Sequence, residues 1–137
     1  MGSGVGKARR VKFNVAAEPV ARPVVDSGGT ESWRDGDGQL HRVGGPAVKH
    51  ANGAEEWCEH GRLHRVGGPA VVYGNGDASW YQGNKLHRDD GPAVEYADGR
   101  RMWYLRGELV SELVVRKHAS LKQLREMELE LPERITF

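Results

Sequence analysis

The sequence predicts a mainly β chain of tandem 23-residue β-hairpin repeats, forming an elongated sheet or a β-solenoid, with an N-terminal arm and a short C-terminal helix. Three observations carry this expectation. Tryptophans recur at Trp33, Trp57, Trp80 and Trp103. The segment Leu-His-Arg-x-x-Gly-Pro-Ala-Val begins at Leu40, Leu63 and Leu86, which sets the period at 23 residues. A turn dipeptide, Asn52-Gly53, Asn75-Gly76 or Asp98-Gly99, ends four residues before each later Trp. The chain then divides into an arm over 1–21, a repeat domain over 22–115 and a helix and tail over 116–137.

Within the arm only Val11-Lys12-Phe13-Asn14-Val15 alternates as a strand would. Gly2-Ser3-Gly4-Val5-Gly6-Lys7 is a poor phosphate loop: the first Gly of that motif is missing, Ala8 follows the Lys, and no strand precedes it. Lys7, Arg9, Arg10 and Lys12 form a local basic run, suited to nucleic-acid phosphate, to an acidic protein surface, or simply to solvent. The next stretch reads as a worn copy of the unit. A turn at Gly28-Gly29 pairs Val24 with Trp33, Pro23 sits one place out of phase, and Trp33 to Leu40 is one residue longer than in later units.

In each full unit, Asn-Gly or Asp-Gly suits a two-residue type I′ turn, whose central positions both need positive φ. Pairing outward sets Val48 opposite Trp57, Val71 opposite Trp80 and Val94 opposite Trp103. A cross-strand pair of this kind contributes about 0.2–1 kcal/mol over Ala–Ala. A second turn follows each Trp, at His60-Gly61, Gly83-Asn84 and Arg106-Gly107, and places His64 opposite Trp57, His87 opposite Trp80 and Val110 opposite Trp103. Pro46, Pro69 and Pro92 cannot donate to a ladder and mark the corner between the two pairings. Beyond Val110 the unit loses its His-Arg and Gly-Pro. The period then changes to helical, with a capping box at Ser120-Leu121-Lys122-Gln123 and a stop at Pro132, predicting a helix near 120–131.

Composition narrows the function. Lys and Arg total 20 against 19 Asp and Glu, so net charge offers no pull toward nucleic acid or a membrane surface. The 19 glycines suit tight turns and a shallow core. Cys58 is the only cysteine, so no intramolecular disulfide forms and a reducing, cytoplasmic setting is expected, whether in a host cell or linked to a virion. No apolar run approaches the roughly 18 residues of a membrane span.

Four sets of residues could carry chemistry. His41, His64 and His87 recur in phase, but equivalent residues of successive hairpins in one sheet stand about 9–10 Å apart. One zinc ion binds nitrogen at about 2.0–2.1 Å and cannot bridge them. Their expected role is structural: stacked beside Trp and bonded to a turn carbonyl. Cys58, His60 and His64 have ligand-like spacing in one unit only, with Cys58 and His64 on opposite faces, so no metal or other cofactor is expected. Arg42, Arg65 and Arg88 offer a rigid fork to a carboxylate or phosphate. They are the expected partner-binding residues together with the basic run, the alternative being a salt bridge to an acid such as Asp89. No catalytic motif such as Gly-x-Ser-x-Gly or His-Glu-x-x-His is present, so an enzyme is not expected.

Units such as Trp80-Tyr81-Gln82-Gly83-Asn84-Lys85-Leu86-His87-Arg88-Asp89-Asp90-Gly91-Pro92-Ala93 resemble variant MORN-type hairpin repeats, over about residues 22–115. Arrays of the Leu-His-Arg-x-x-Gly-Pro-Ala form are similar to those of many phage and giant-virus open reading frames, and related bacterial arrays carry an antitoxin label. The resemblance implies a β-sheet scaffold without chemistry of its own. The His-Arg-x-x-Gly-Pro-Ala insert departs from ordinary MORN repeats, so their membrane association does not transfer. The expected function is a phage-encoded scaffold binding a host or viral protein. The alternatives are a virion assembly protein whose arm adds a strand to a neighbouring subunit in a homo-oligomer, and a nucleic-acid binder using the arm and the Arg ladder.

Overall fold

A computed structural model describes residues 22–130. The expected arm, with the strand at 11–15 and Lys7, Arg9, Arg10 and Lys12, lies outside the described residues. The fold is mainly β: a large antiparallel sheet of hairpin-like strands followed by one helix. Nine strands form the sheet, namely β1 (Val24–Val25), β2 (Glu31–Ser32), β3 (Val48–Lys49), β4 (Glu55–Glu56), β7 (Val71–Val72), β8 (Ala78–Ser79), β11 (Val94–Glu95), β12 (Arg101–Leu105) and β13 (Glu108–Val110). They lie side by side in chain order. The intervening pairs β5 (Cys58–Glu59) with β6 (Arg62–Leu63), and β9 (Tyr81–Gln82) with β10 (Lys85–Leu86), are separate two-stranded hairpins.

A single Trp separates each sheet strand from its hairpin: β4 ends at Glu56, Trp57 follows, and β5 begins at Cys58. The Trp backbone serves both ladders. Trp57 N–H donates to the Ala70 carbonyl, while its own carbonyl accepts from His64 N–H. Trp33 and Trp80 repeat the arrangement with Ala47 and His41, and with Ala93 and His87. Neighbouring hairpins are also joined, because Asn84 N–H donates to Leu63 O and Arg65 N–H to Tyr81 O. Gly107 and Arg88 do the same for Leu86 and Tyr104, so the tips make a second ladder beside the sheet.

The type I′ geometry expected of the first turn is found instead at the second, which lies at its predicted position. Both central residues have positive φ, at His60 and Gly61, Gly83 and Asn84, and Arg106 and Gly107. Trp103 pairs with Val110, and the register of β5 with β6 and of β9 with β10 sets Trp57 across from His64 and Trp80 across from His87. The first unit carries its extra residue here. Arg34 bridges Leu40 around the three residues Gly36, Asp37 and Gly38, with Asp35 N–H bonded to Gln39 O.

The first turn differs from expectation by one residue. Val48 faces Glu56, Val71 faces Ser79 and Val94 faces Met102, so the Val–Trp pairs do not form; in the worn unit Val24 faces Ser32, not Trp33. Only the Gly of each Asn-Gly or Asp-Gly has positive φ. Asn52 instead accepts the Ala54 N–H on its side chain, and Asn75 and Asp98 do likewise for Asp77 and Arg100. That Asx bond favours a right-handed central pair, and the Gly then closes a three-residue loop with a bulge. The shift places Val48, Val71 and Val94 in the core, beside Ala47, Ala70 and Ala93, which have no exposed surface. Any side chain larger than Ala would meet a filled interior there.

Helix α1 (Glu112–Glu130) starts eight residues before the expected position, inside the stretch assigned to the repeats. Ser111 is its N-cap, with Oγ accepting Val114 N–H, and Glu112 pairs with Arg116 one turn on. The expected capping box at Ser120 lies mid-helix. Val115 is almost wholly buried and ties the first turns to the sheet, while Leu113, Leu121, Leu124 and Met127 are exposed.

Candidate functional site

Each Leu-His-Arg-x-x-Gly-Pro-Ala corner closes through its arginine. The guanidinium carbons of Arg42, Arg65 and Arg88 lie 3.9, 3.6 and 3.8 Å from the ring centroids of Trp33, Trp57 and Trp80. Nη1 of each donates to the carbonyl of the Pro four residues on, Pro46, Pro69 or Pro92. A Cβ on Gly45, Gly68 or Gly91 would fall 2.9, 2.7 or 2.6 Å from that guanidinium carbon, so only glycine admits the stacked arginine. The corner sequence is thus one object: Trp face, Arg plate, Gly gap, Pro acceptor. Stacking and the Pro carbonyl hold the three guanidinium groups, expected to face a partner, against their own corners. Arg88 adds Asp90 and Glu95, rather than Asp89, as acidic neighbours.

The histidines brace the turn of the following unit. Nδ1 of His41, His64 and His87 accepts the backbone N–H of His60, Gly83 and Arg106, each 19 residues on. The bond goes to a turn N–H and not to a turn carbonyl as expected. The reason is that the first central residue of a I′ turn directs its N–H away from its own hairpin. An accepting Nδ1 leaves the ring proton on Nε2. The members of the Cys58, His60, His64 set go separate ways. Cys58 is buried, His60 stacks on His41 at 3.8 Å and bonds Asp35, and His64 holds Gly83. Burial, helped by the Glu56 charge, pushes the Cys58 thiol up to about 11, away from thiolate chemistry.

A cluster not anticipated from the sequence centres on Asp89. His87 Nε2 and His118 Nε2 lie 2.9 and 2.7 Å from its Oδ1, and Lys122 Nζ lies 2.8 Å from its Oδ2. Burial alone would raise this carboxyl, but the bonds from Lys122, His118 and His87 outweigh it and hold it well below the usual carboxylate range. The two imidazoles and the carboxylate approach within 4.8 Å, as metal ligands do. However, His87 Nδ1 already accepts the Arg106 N–H, so Nε2 carries the proton and donates to Asp89, and Lys122 supplies the cation. The arrangement is a latch holding α1 to the third corner. Its signal in the sequence was the in-phase replacement of Val43-Gly44 and Val66-Gly67 by Asp89-Asp90, with His118 and Lys122 one helical turn apart.

Among the described residues no helix covers the equivalent position at the two earlier corners. Val43 and Val66 are 78% and 79% exposed. Between them runs an open depression of about 450 Å³ lined by His41, Trp57, Glu59, His64 and the two corners. A smaller one of about 350 Å³ lies at the third corner, where His118 of α1 forms part of its wall beside His87, Asp89 and Arg106. The described residues thus present two open depressions, one along the first two corners and one at the third, where His118 of α1 forms part of the wall. No protein-family model, curated protein or solved structure matches this chain.

Proposed function

We propose that the chain is a non-enzymatic scaffold of tandem 23-residue hairpin repeats, related to MORN-type arrays, that mediates protein–protein interaction through the open groove over Val43 and Val66. The repeat reading is supported by contacts that recur at the sequence period: Arg on Trp, Arg on the Pro carbonyl, and His on the next turn. One observation carries the functional reading. The side chains with chemical potential are engaged in holding corners and turns, whereas two valines at equivalent corners project into solvent beside an uncovered groove. Exposed apolar side chains grouped on a surface otherwise closed by its own hydrogen bonds mark a docking site. Shallow, open grooves suit another protein better than a small substrate, which needs enclosure.

The test is capture of a partner by the full chain, followed by affinity measurement with purified components. Replacing both valines, Val43→Asp with Val66→Asp, should weaken binding by about tenfold or more, the loss expected of two apolar contacts at the centre of an interface. Unchanged affinity would remove the groove from the function. Replacing Lys7, Arg9, Arg10 and Lys12 in parallel tests the arm as a second contact.

A further inference from the structure

We infer that the groove over Val43 and Val66 takes an acidic peptide segment, its carboxylates held by His41 and Arg42 at the first corner and by His64 and Arg65 at the second. This rests on the groove being a protein-docking surface and names the chemistry of its partner. The third corner supplies the pattern. There the chain's own carboxylates fill the corner: Asp89 Oδ1 lies 2.9 Å from His87 Nε2, and Asp90 Oδ1 accepts from Arg88 Nε at 3.1 Å. At the first two corners Val43-Gly44 and Val66-Gly67 stand in place of Asp89-Asp90, while Lys49 and Val72 replace Glu95, the other acid beside Arg88. The donors recur and the acceptors do not.

Those donors are uncommitted. Bracing of the turns uses Nδ1 of His41 and His64, which puts the ring proton on Nε2. The corners use Nη1 of Arg42 and Arg65. Among the described residues no acceptor meets Nε2 of either histidine or Nε of either arginine; Glu59, the nearest acid, stands 4.0 Å from His64 Nε2. A Cβ on Gly44 or Gly67 meets nothing within 4 Å, so a ligand carboxylate has room beside each corner. All four donor side chains line the groove, together with His60 and Glu59. His60 Nδ1 is tied to Asp35 Oδ2 at 2.7 Å, and Glu59 is 60% exposed, so two guanidinium groups face one carboxylate in the wall. A carboxylate accepting from both an imidazole and a guanidinium N–H gains two hydrogen bonds, of which at least the second is between full charges. The corners recur at two strand spacings, about 9–10 Å, which an extended peptide covers in three residues at about 3.3 Å each. Paired acids three residues apart therefore fit both corners at once.

The probe is the peptide Gly-Asp-Asp-Gly-Asp-Asp-Gly, acetylated and amidated, titrated into the full chain at about 50 mM salt by calorimetry, with the folding of each variant checked by circular dichroism. It should bind with a dissociation constant of about 100 μM or below, and the peptide with Asn for every Asp should not. Val43→Asp with Val66→Asp supplies carboxylates from within, as Asp89 does, and should weaken binding about tenfold or more, whereas Val43→Asn with Val66→Asn should change it by less than about threefold. Glu59→Gln, which installs the residue found at the equivalent position 82, should tighten it about threefold or more. No binding up to about 1 mM peptide, or equal losses in the Asp and Asn variants, overturns the inference. Displacement of the peptide by a single-stranded oligonucleotide of equal charge at lower concentration also overturns it, making the corners phosphate sites. If the peptide fails while a captured protein partner still depends on Val43 and Val66, the docking surface stands and only the chemistry of its ligand is wrong. A partner indifferent to Val43→Asp with Val66→Asp removes the docking surface and this inference with it.

Discussion

The guanidinium of Arg65 lies 3.6 Å from the centre of the Trp57 ring and donates to Pro69 O at 3.0 Å, binding three parts of one corner. A cation–π contact at a partly buried site contributes about 0.5–2 kcal/mol and the hydrogen bond about 1 kcal/mol. Arg65→Ala should therefore lower stability by about 1–3 kcal/mol in denaturant unfolding. Arg65→Lys should recover only part of it, since a point charge cannot both cover the ring and reach the carbonyl. Gly68→Ala should destabilise the wild type and be much milder in the Arg65→Ala background, because the crowded guanidinium is gone; equal losses in both would refute the Gly-gap explanation.

His64 and Gly83 sit in adjacent units, so their bond tests whether turns are braced from outside. His64→Ala should cost about 1–2 kcal/mol and speed amide exchange at Gly83 specifically. His64→Asn, whose side-chain oxygen can replace Nδ1 as acceptor, should protect that amide better than Ala does.

Asp89 governs the attachment of α1, and its lowered pKa fixes the sign of the pH effect. A carboxyl with a folded pKa below its unfolded value of about 3.9 stabilises fully above that value, and its contribution is lost as pH falls through the folded pKa. Acidification below about pH 4 should loosen α1, read as faster exchange at Val115. Asp89→Asn should loosen it at neutral pH by about 1–2 kcal/mol and flatten the acid dependence. Lys122→Met should weaken the latch in the same direction.

Cys58 offers a probe of opening. It is buried on β5 and its thiol is pushed up to about 11, so little thiolate exists at pH 8. Alkylation of the native chain should be slower by orders of magnitude than in denaturant, and should accelerate in Arg65→Ala in proportion to its lost stability. Fast native labelling would contradict the burial of this strand.

The sequence by itself determined the strands, the second turns and the corner composition. His60-Gly61, Gly83-Asn84 and Arg106-Gly107 leave two residues between paired strands, and a two-residue hairpin has few backbone solutions. Asn52-Gly53 and its equivalents were ambiguous, since the same dipeptide closes a two-residue or a three-residue loop. The choice fell to the Asn side chain's local bond and to burial of Val48, Val71 and Val94, which a one-residue shift would have turned outward. The start of α1 was hidden because residues 112–115 fell within the stretch assigned to the repeats, whereas in the fold they are helical and bury Val115. The roles of Arg65 and Asp89 were decided by tertiary structure alone. An Arg can serve a partner or its own corner, and the Trp57 ring beneath Arg65 is a neighbour that only the fold supplies. Asp89 meets His118 and Lys122 from across the fold, 29 and 33 residues away, a distance no local pattern encodes.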